Sequence, residues 1–234
     1  MTASAPLRRV AVALDTSDRA QFSNWCRVFG PRVGLLKIGL EAFVRWGPPA
    51  VEEARASGAG VFLDLKLHDI PATVAGAVRS ASALGVSYLT VHAGGGDAML
   101  RAATAVEGAP KLLAVTLLTH LDARELTLLG LSGSGEDRVA RWALLAAAAG
   151  CAGVVCSPLE VRRLRVENPP PFALVTPGIR SAAAPADDQR RTATAAEALA
   201  AGADFLVIGR PLTRAADPGA ALAALEREIA ATPA

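Results

Sequence analysis

Val61-Phe62-Leu63-Asp64-Leu65-Lys66-Leu67, the Ala-rich run Thr73–Ala83, and Tyr88-Leu89-Thr90-Val91-His92-Ala93 form the stretch that decides the fold. The outer runs are short, apolar and rich in branched or aromatic residues, which predicts strands. The middle run is a helical pattern, and Gly85 behind it is a helix C-terminal stop. Strand, helix and strand within about 30 residues predict a βαβ unit with parallel strands.

The same unit recurs on both sides. Further strands are predicted at Val10–Leu14, Val33–Gly39, Leu112–Leu118, Gly153–Cys156, Ala173–Val175 and Phe205–Gly209. Helical patterns lie at Pro48–Ser57, Asp97–Val106, Glu136–Ala149 and Thr194–Ala201, and Gly58, Gly150 and Gly202 close three of them. Eight βα units in 234 residues predict a closed (β/α)8 barrel, which needs roughly 200–250 residues. An open doubly wound sheet has about five or six strands. No linker interrupts the pattern, so residues 1–234 read as one domain.

Bulk composition narrows the function. The net charge is +2, from 24 basic and 22 acidic residues, and gives no reason to expect nucleic acid as a partner. Short basic runs such as Arg8-Arg9 and Arg190-Arg191 read as solvated faces. Cys26, Cys151 and Cys156 are few, odd in number and without CxxC spacing, so neither a disulfide framework nor a zinc site is expected. A reducing, cytoplasmic setting fits this usage. No leader pattern precedes the first strand and no run nears ~18 apolar residues, so no membrane span is expected.

Lysine is rationed. Of the 24 basic residues only Lys37, Lys66 and Lys111 are lysine, and Lys37 and Lys66 fall inside strand-like runs where a charge is costly. An amine can exchange its proton near neutral pH, whereas a guanidinium cannot. Function in a barrel sits at the C-terminal ends of its strands. There, alternation places Asp64 and Lys66 on one face, inside the barrel mouth, with Asp69 on the following loop. Anionic neighbours favour the charged amine. A positioned ammonium beside a buried carboxylate suits proton delivery to a carbanion; the bland reading is an ion-pair network that only closes the barrel. Lys37, in phase with Gly39, extends the line of charges, or is a snorkelling lysine. Asp15 ends the first strand and can bind a sugar hydroxyl or cap a helix.

The last two strands suggest a phosphate grip. Val207-Ile208-Gly209-Arg210-Pro211 offers backbone N–H groups and a guanidinium, and Thr176-Pro177-Gly178-Ile179-Arg180 supplies the facing wall. Gln189 lies on the lid side of the loop that begins at Ser181. Thr119 can bond a polar ring or cap the segment after it. His92 can orient the lysines or serve as a core histidine; Gly94–Gly96 lacks dinucleotide-fingerprint spacing, and isolated His68 and His120 are poor metal ligands.

With these residues in place, the chain closely resembles the orotidine 5'-phosphate decarboxylase family. Asp64-Leu65-Lys66-Leu67-His68-Asp69-Ile70-Pro71-Ala72-Thr73 is similar to the signature D-x-K-x-x-D-I-P-x-T. Ala13-Leu14-Asp15, Leu36-Lys37-Ile38-Gly39, His92–Gly96, Val115–Thr119, Thr176–Arg180, Asp188-Gln189 and Ile208–Pro211 follow in family order. The resemblance implies decarboxylation of orotidine 5'-phosphate to uridine 5'-phosphate, the last step of de novo pyrimidine nucleotide synthesis, without cofactor or metal. It implies Lys66 as proton donor to C6, Asp64 against the departing carboxylate, Lys37 on the ribose and Asp64, and Asp15 on ribose hydroxyls. Thr119 would meet the pyrimidine, while Gln189, Gly209 and Arg210, with Pro177 and Arg180 close by, would hold the phosphate. Asp69, Ile70 and Thr73 would enter a neighbouring subunit's site, making a homodimer with shared active sites. The stretch Ser181–Asp187 departs from the family, which has a Gly-containing loop there and a later Thr-Pro helix start.

Two alternatives differ in class. A magnesium-dependent sugar-phosphate decarboxylase or aldolase shares D-x-K-x-x-D but holds its metal partly through a Glu near the end of strand two, where this chain has Lys37. A non-catalytic phosphometabolite-binding barrel would need the phosphate grip without the lysines.

Overall fold

A computed structural model describes residues 4–131, 133–180 and 192–232. Eight parallel strands close into one barrel in sequence order, and β1 pairs with both β2 and β8. They are β1 (Val10–Ala13), β2 (Leu35–Ile38), β3 (Gly60–Leu67), β4 (Tyr88–His92), β5 (Lys111–Val115), β6 (Gly153–Val155), β7 (Ala173–Thr176) and β8 (Phe205–Ile208). Around them lie α1 (Arg19–Phe29), α2 (Leu40–Trp46), α3 (Pro48–Ala56), α4 (Pro71–Ser82), α5 (Gly96–Thr104) and α6 (Ala123–Leu128). The ring continues with α7 (Gly135–Ala148), α8 (Val161–Glu167), α9 (Ala195–Ala200), α10 (Arg210–Thr213) and α11 (Pro218–Ala230). The (β/α)8 barrel expected from the sequence is therefore the fold. No helix among the described residues is long and apolar enough to cross a membrane.

Strand alternation sorts the apolar residues into two cores. Ala11, Ala13, Leu35, Phe62, Leu113, Val175 and Val207 pack together inside the barrel. Val10, Val12, Leu36, Ile38, Val61, Leu63, Leu89 and Val91 belong to a second, larger cluster, against the helices. Each strand thus feeds one core with odd positions and the other with even ones. The next inward positions beyond the inner core reach the barrel mouth: Asp15 after Ala13, Lys37 after Leu35, Asp64 after Phe62 and Gly209 after Val207.

Gly85, read as a stop in the sequence, ends the α4 region with φ 64°. Asp18, which the sequence reading did not single out, caps α1 by accepting from the Ala20 and Gln21 N–H groups. Six strands are shorter than the sequence suggests, β1, β4, β6 and β8 by one residue each and β2 and β5 by more. The Val33 N–H bonds back to the Phe29 carbonyl, so residue 33 still belongs to the turn after α1. β5 ends at Val115, and Leu118 accepts from the Leu121 N–H in a turn. Hydrophobicity continues past both strand ends because Val33 and Leu117 are buried, not because they are in the ladder.

Candidate active site

A cavity of about 670 Å³ opens at the C-terminal ends of the strands. Val115, Val155 and Val207 contribute apolar wall, and Asp15, Lys37, Asp64 and Lys66 contribute charge. The charges form one line. Lys37 Nζ lies 3.2 Å from Asp15 Oδ1 and 3.6 Å from Asp64 Oδ2. Lys66 Nζ donates to both Asp64 oxygens at 2.9 Å. The order is Asp15–Lys37–Asp64–Lys66, alternating in sign across β1, β2 and β3.

Burial alone would depress the Lys37 amine, but Asp64 and Asp15 outweigh it and hold the group protonated above its ordinary range. Burial alone would raise Asp64, yet Lys37, Lys66 and the hydrogen bonds from Lys66 and Thr90 hold it below the usual carboxylate range. Both members of this buried pair are therefore charged. Gly39 is part of the same construction. A Cβ there would collide with Asp15 Oδ1 and touch Lys37 Nζ, so the missing side chain leaves room for the pair at the strand ends as it is placed.

Lys66 reaches the line by a route that alternation does not describe. The β3–β4 register runs Leu63↔Leu89 and resumes at Leu67↔Val91, so Asp64, Leu65 and Lys66 face a single residue, Thr90. Lys66 has φ 51°, the sole positive φ at a non-glycine residue among those described. The face expected for Lys66 is correct; the backbone that delivers it is a bulge. Thr90, fully buried, accepts from the Lys66 N–H at 2.8 Å and donates to Asp64 Oδ1 at 2.9 Å. The sequence reading passed over Thr90. Its signal was a hydroxyl at the inward phase of the strand, two residues beyond Tyr88.

The expected flanking of Lys66 by Asp69 is not found within the chain. Asp69 is exposed, accepts from the Ile70 N–H at 2.6 Å, and does not line the cavity. Ile70, 67% exposed, and exposed Thr73 also lie away from the cavity wall. The reason is local: Ile70 precedes Pro71 and is extended (φ −60°, ψ 153°), which leads the chain outward before α4 begins. The fourth charge of the line is Asp15 instead.

Across the mouth, Thr119, Pro177, Arg180, Gly209 and Arg210 all line the cavity. The Arg180 N–H bonds to the Ala193 carbonyl, and Ile179 and Ala193 form a parallel bridge just beyond β7. Gln189 lies outside the described residues, as does the loop from Ser181 to Asp188. His92 does not join the charge line. Its Nδ1 accepts from the Gly94 N–H, and its ring stacks on His68 at 5.0 Å with Trp142 at its edge. Burial first, then His68 and Lys66, push its pKa down to about 4, so it is neutral at pH 7 and shapes the turn after β4.

The comparisons with known proteins point one way. Residues 8–225 match the model of the family described as "Orotidine 5'-phosphate decarboxylase / HUMPS family". The chain is 53% identical over 226 residues to the orotidine 5'-phosphate decarboxylase of Thermobifida fusca (strain YX), covering 95% of this chain and 96% of that protein. It is 52% identical over 221 residues to the enzyme of the same name from Anaeromyxobacter dehalogenans, covering 94% and 97%. Among solved structures it is similar to orotidine 5'-phosphate decarboxylase from Lactobacillus acidophilus, with TM-score 0.82, 35% identity, and coverage of 96% of this chain and 100% of that one.

Proposed function

Because the chain belongs to the orotidine 5'-phosphate decarboxylase / HUMPS family, we propose that its barrel mouth converts orotidine 5'-phosphate to uridine 5'-phosphate and carbon dioxide. The reaction is a decarboxylation, and the chain is a carboxy-lyase of pyrimidine synthesis. One observation carries the reading: four charges alternate in sign on consecutive strand ends, with the amine of Lys66 at the end of the line.

In the proposed mechanism the pyrimidine carboxylate lies against Asp64. The bond from C6 to the carboxylate carbon breaks and its electron pair stays on C6. Carbon dioxide leaves as a neutral molecule, and the negative charge that faced Asp64 moves onto C6. The Lys66 ammonium stabilises the developing carbanion and then gives C6 a proton, later recovered from solvent. Lys37 and Asp15 bind the ribose hydroxyls, and Lys37 keeps Asp64 charged. Thr119 meets the pyrimidine. Gly209 and Arg210, with Arg180, Pro177 and Gln189 nearby, bind the phosphate.

No metal takes part in this reading. Among the described residues no three His, Cys, Asp or Glu side chains are grouped to hold a metal ion. The place at the end of β2 is filled by the Lys37 ammonium, which a cation would have to displace from Asp15 and Asp64. The working unit is a cytoplasmic homodimer in which Asp69, Ile70 and Thr73 of each subunit enter the facing mouth. Outward-leading Ile70 and the exposed apolar side chains Ile70, Leu40 and Val44 support that arrangement.

The phosphate grip is tested by Arg210→Ala. Binding energy from a remote group can be used in the transition state as well as the ground state. The variant is expected to lose about 10²-fold or more in kcat/KM for orotidine 5'-phosphate, a charge-assisted contact or two. It should lose little for the nucleoside lacking phosphate. Equal losses with both substrates would show that Arg210 only supports the fold.

A further inference from the structure

The bulge in β3 is closed by one side chain from the neighbouring strand. Three residues of β3 oppose Thr90 alone, and Lys66 adopts a backbone conformation that side chains rarely take. Such a conformation persists only where the surroundings hold it. Thr90 Oγ1 does so in two directions. It accepts the Lys66 N–H, which the bulge takes out of the ladder, and it donates its proton to Asp64 Oδ1. The same Oδ1 also accepts from Lys66 Nζ. The result is a ring: Thr90 hydroxyl, Asp64 carboxylate, Lys66 ammonium, Lys66 backbone, and back to Thr90.

A hydroxyl suits this place and a methyl does not. It has one proton and two lone pairs, so it can give to the carboxylate and receive from the N–H at once. Thr90 is fully buried, its backbone is fixed in the β4 ladder, and branching at Cβ restricts χ1. The hydroxyl is therefore a rigid reference point for two groups that must meet the substrate at set positions. Without it, Asp64 keeps its two lysine partners but loses the bond that fixes its rotation, and the Lys66 N–H is left without its acceptor.

We propose that Thr90 is a positioning residue for catalysis: its hydroxyl sets the placement of Lys66 and Asp64 against the reacting carbon, acting through them without touching substrate. This rests on the decarboxylase reading of the site. Misplacement by ~1 Å can cost about 10²-fold in rate.

The test compares Thr90→Val, Thr90→Ala and Thr90→Ser with the unaltered protein for orotidine 5'-phosphate turnover and thermal unfolding. Ser and Ala both lack the methyl and differ only in the hydroxyl, so that pair isolates it even if the Val protein folds badly. Expected is a kcat lower by about 10²-fold in Val and Ala at unchanged KM, with Ser retaining most of the turnover. Any of three results overturns the proposal: Ala keeps the normal kcat, Ser falls as far as Ala, or the loss lies in KM alone. Turnover by the unaltered protein decides the decarboxylase reading separately, since the Thr90 proposal is judged on ratios to it.

Discussion

Lys66→Ala is expected to lower turnover by roughly 10⁴-fold or more while leaving the barrel folded. General acid catalysis contributes about 10²–10⁴-fold, and a preorganised charge at the developing anion about 10²–10³-fold more. Both reside in the same amine. Folding should survive because the Lys66 side chain is a third exposed at the mouth, and Lys37 remains to neutralise buried Asp64. The check is a rate measurement beside a thermal unfolding curve. Near-normal turnover in a folded Lys66→Ala protein would remove Lys66 from the chemistry.

The second large effect is complementation between two nearly inactive proteins. Asp69→Ala and Lys66→Ala should each be almost without activity alone. If Asp69 serves the facing barrel, a mixed dimer places both lesions in one site and leaves the other intact. About half of the normal activity per mixed dimer should then return, because each contact of a two-fold interface occurs twice. Mixed dimers that form yet stay inactive would assign Asp69 to its own barrel. The structure of the single chain sets up this test: Asp69 is exposed and outside its own cavity wall, 5 residues from Asp64 in sequence yet not in the charge line.

Much of the fold was legible because each strand speaks twice, once in its apolar run and once in its alternation. Phe62 and Asp64 share a phase, and the structure places Phe62 in the inner core and Asp64 just above it. The rationed lysines led to the mouth for the same reason: a charge inside a strand needs partners. What stayed hidden depends on backbone departures that leave no periodic trace. Lys66 at positive φ carries no glycine or asparagine signal, so counting by twos found its face and missed the bulge. Thr90 was invisible until the bulge brought three residues of β3 onto it. Gly39 looked like the end of a strand, whereas its lack of a Cβ leaves room for the Asp15–Lys37 pair. His92 reads from the sequence either as a partner for the lysines or as a core histidine; its Nδ1 accepts from the Gly94 N–H and it stays out of the charge line. The outward path of Asp69 and Ile70 follows from Pro71, which restricts the residue before it.

The central claim is that the charge line alone, without metal or cofactor, decarboxylates the nucleotide. The most direct measurement is ultraviolet monitoring of orotidine 5'-phosphate with the purified protein in excess EDTA. The account predicts full conversion to uridine 5'-phosphate at a rate equal to that without chelator. Loss of activity in EDTA, restored by magnesium, would contradict it.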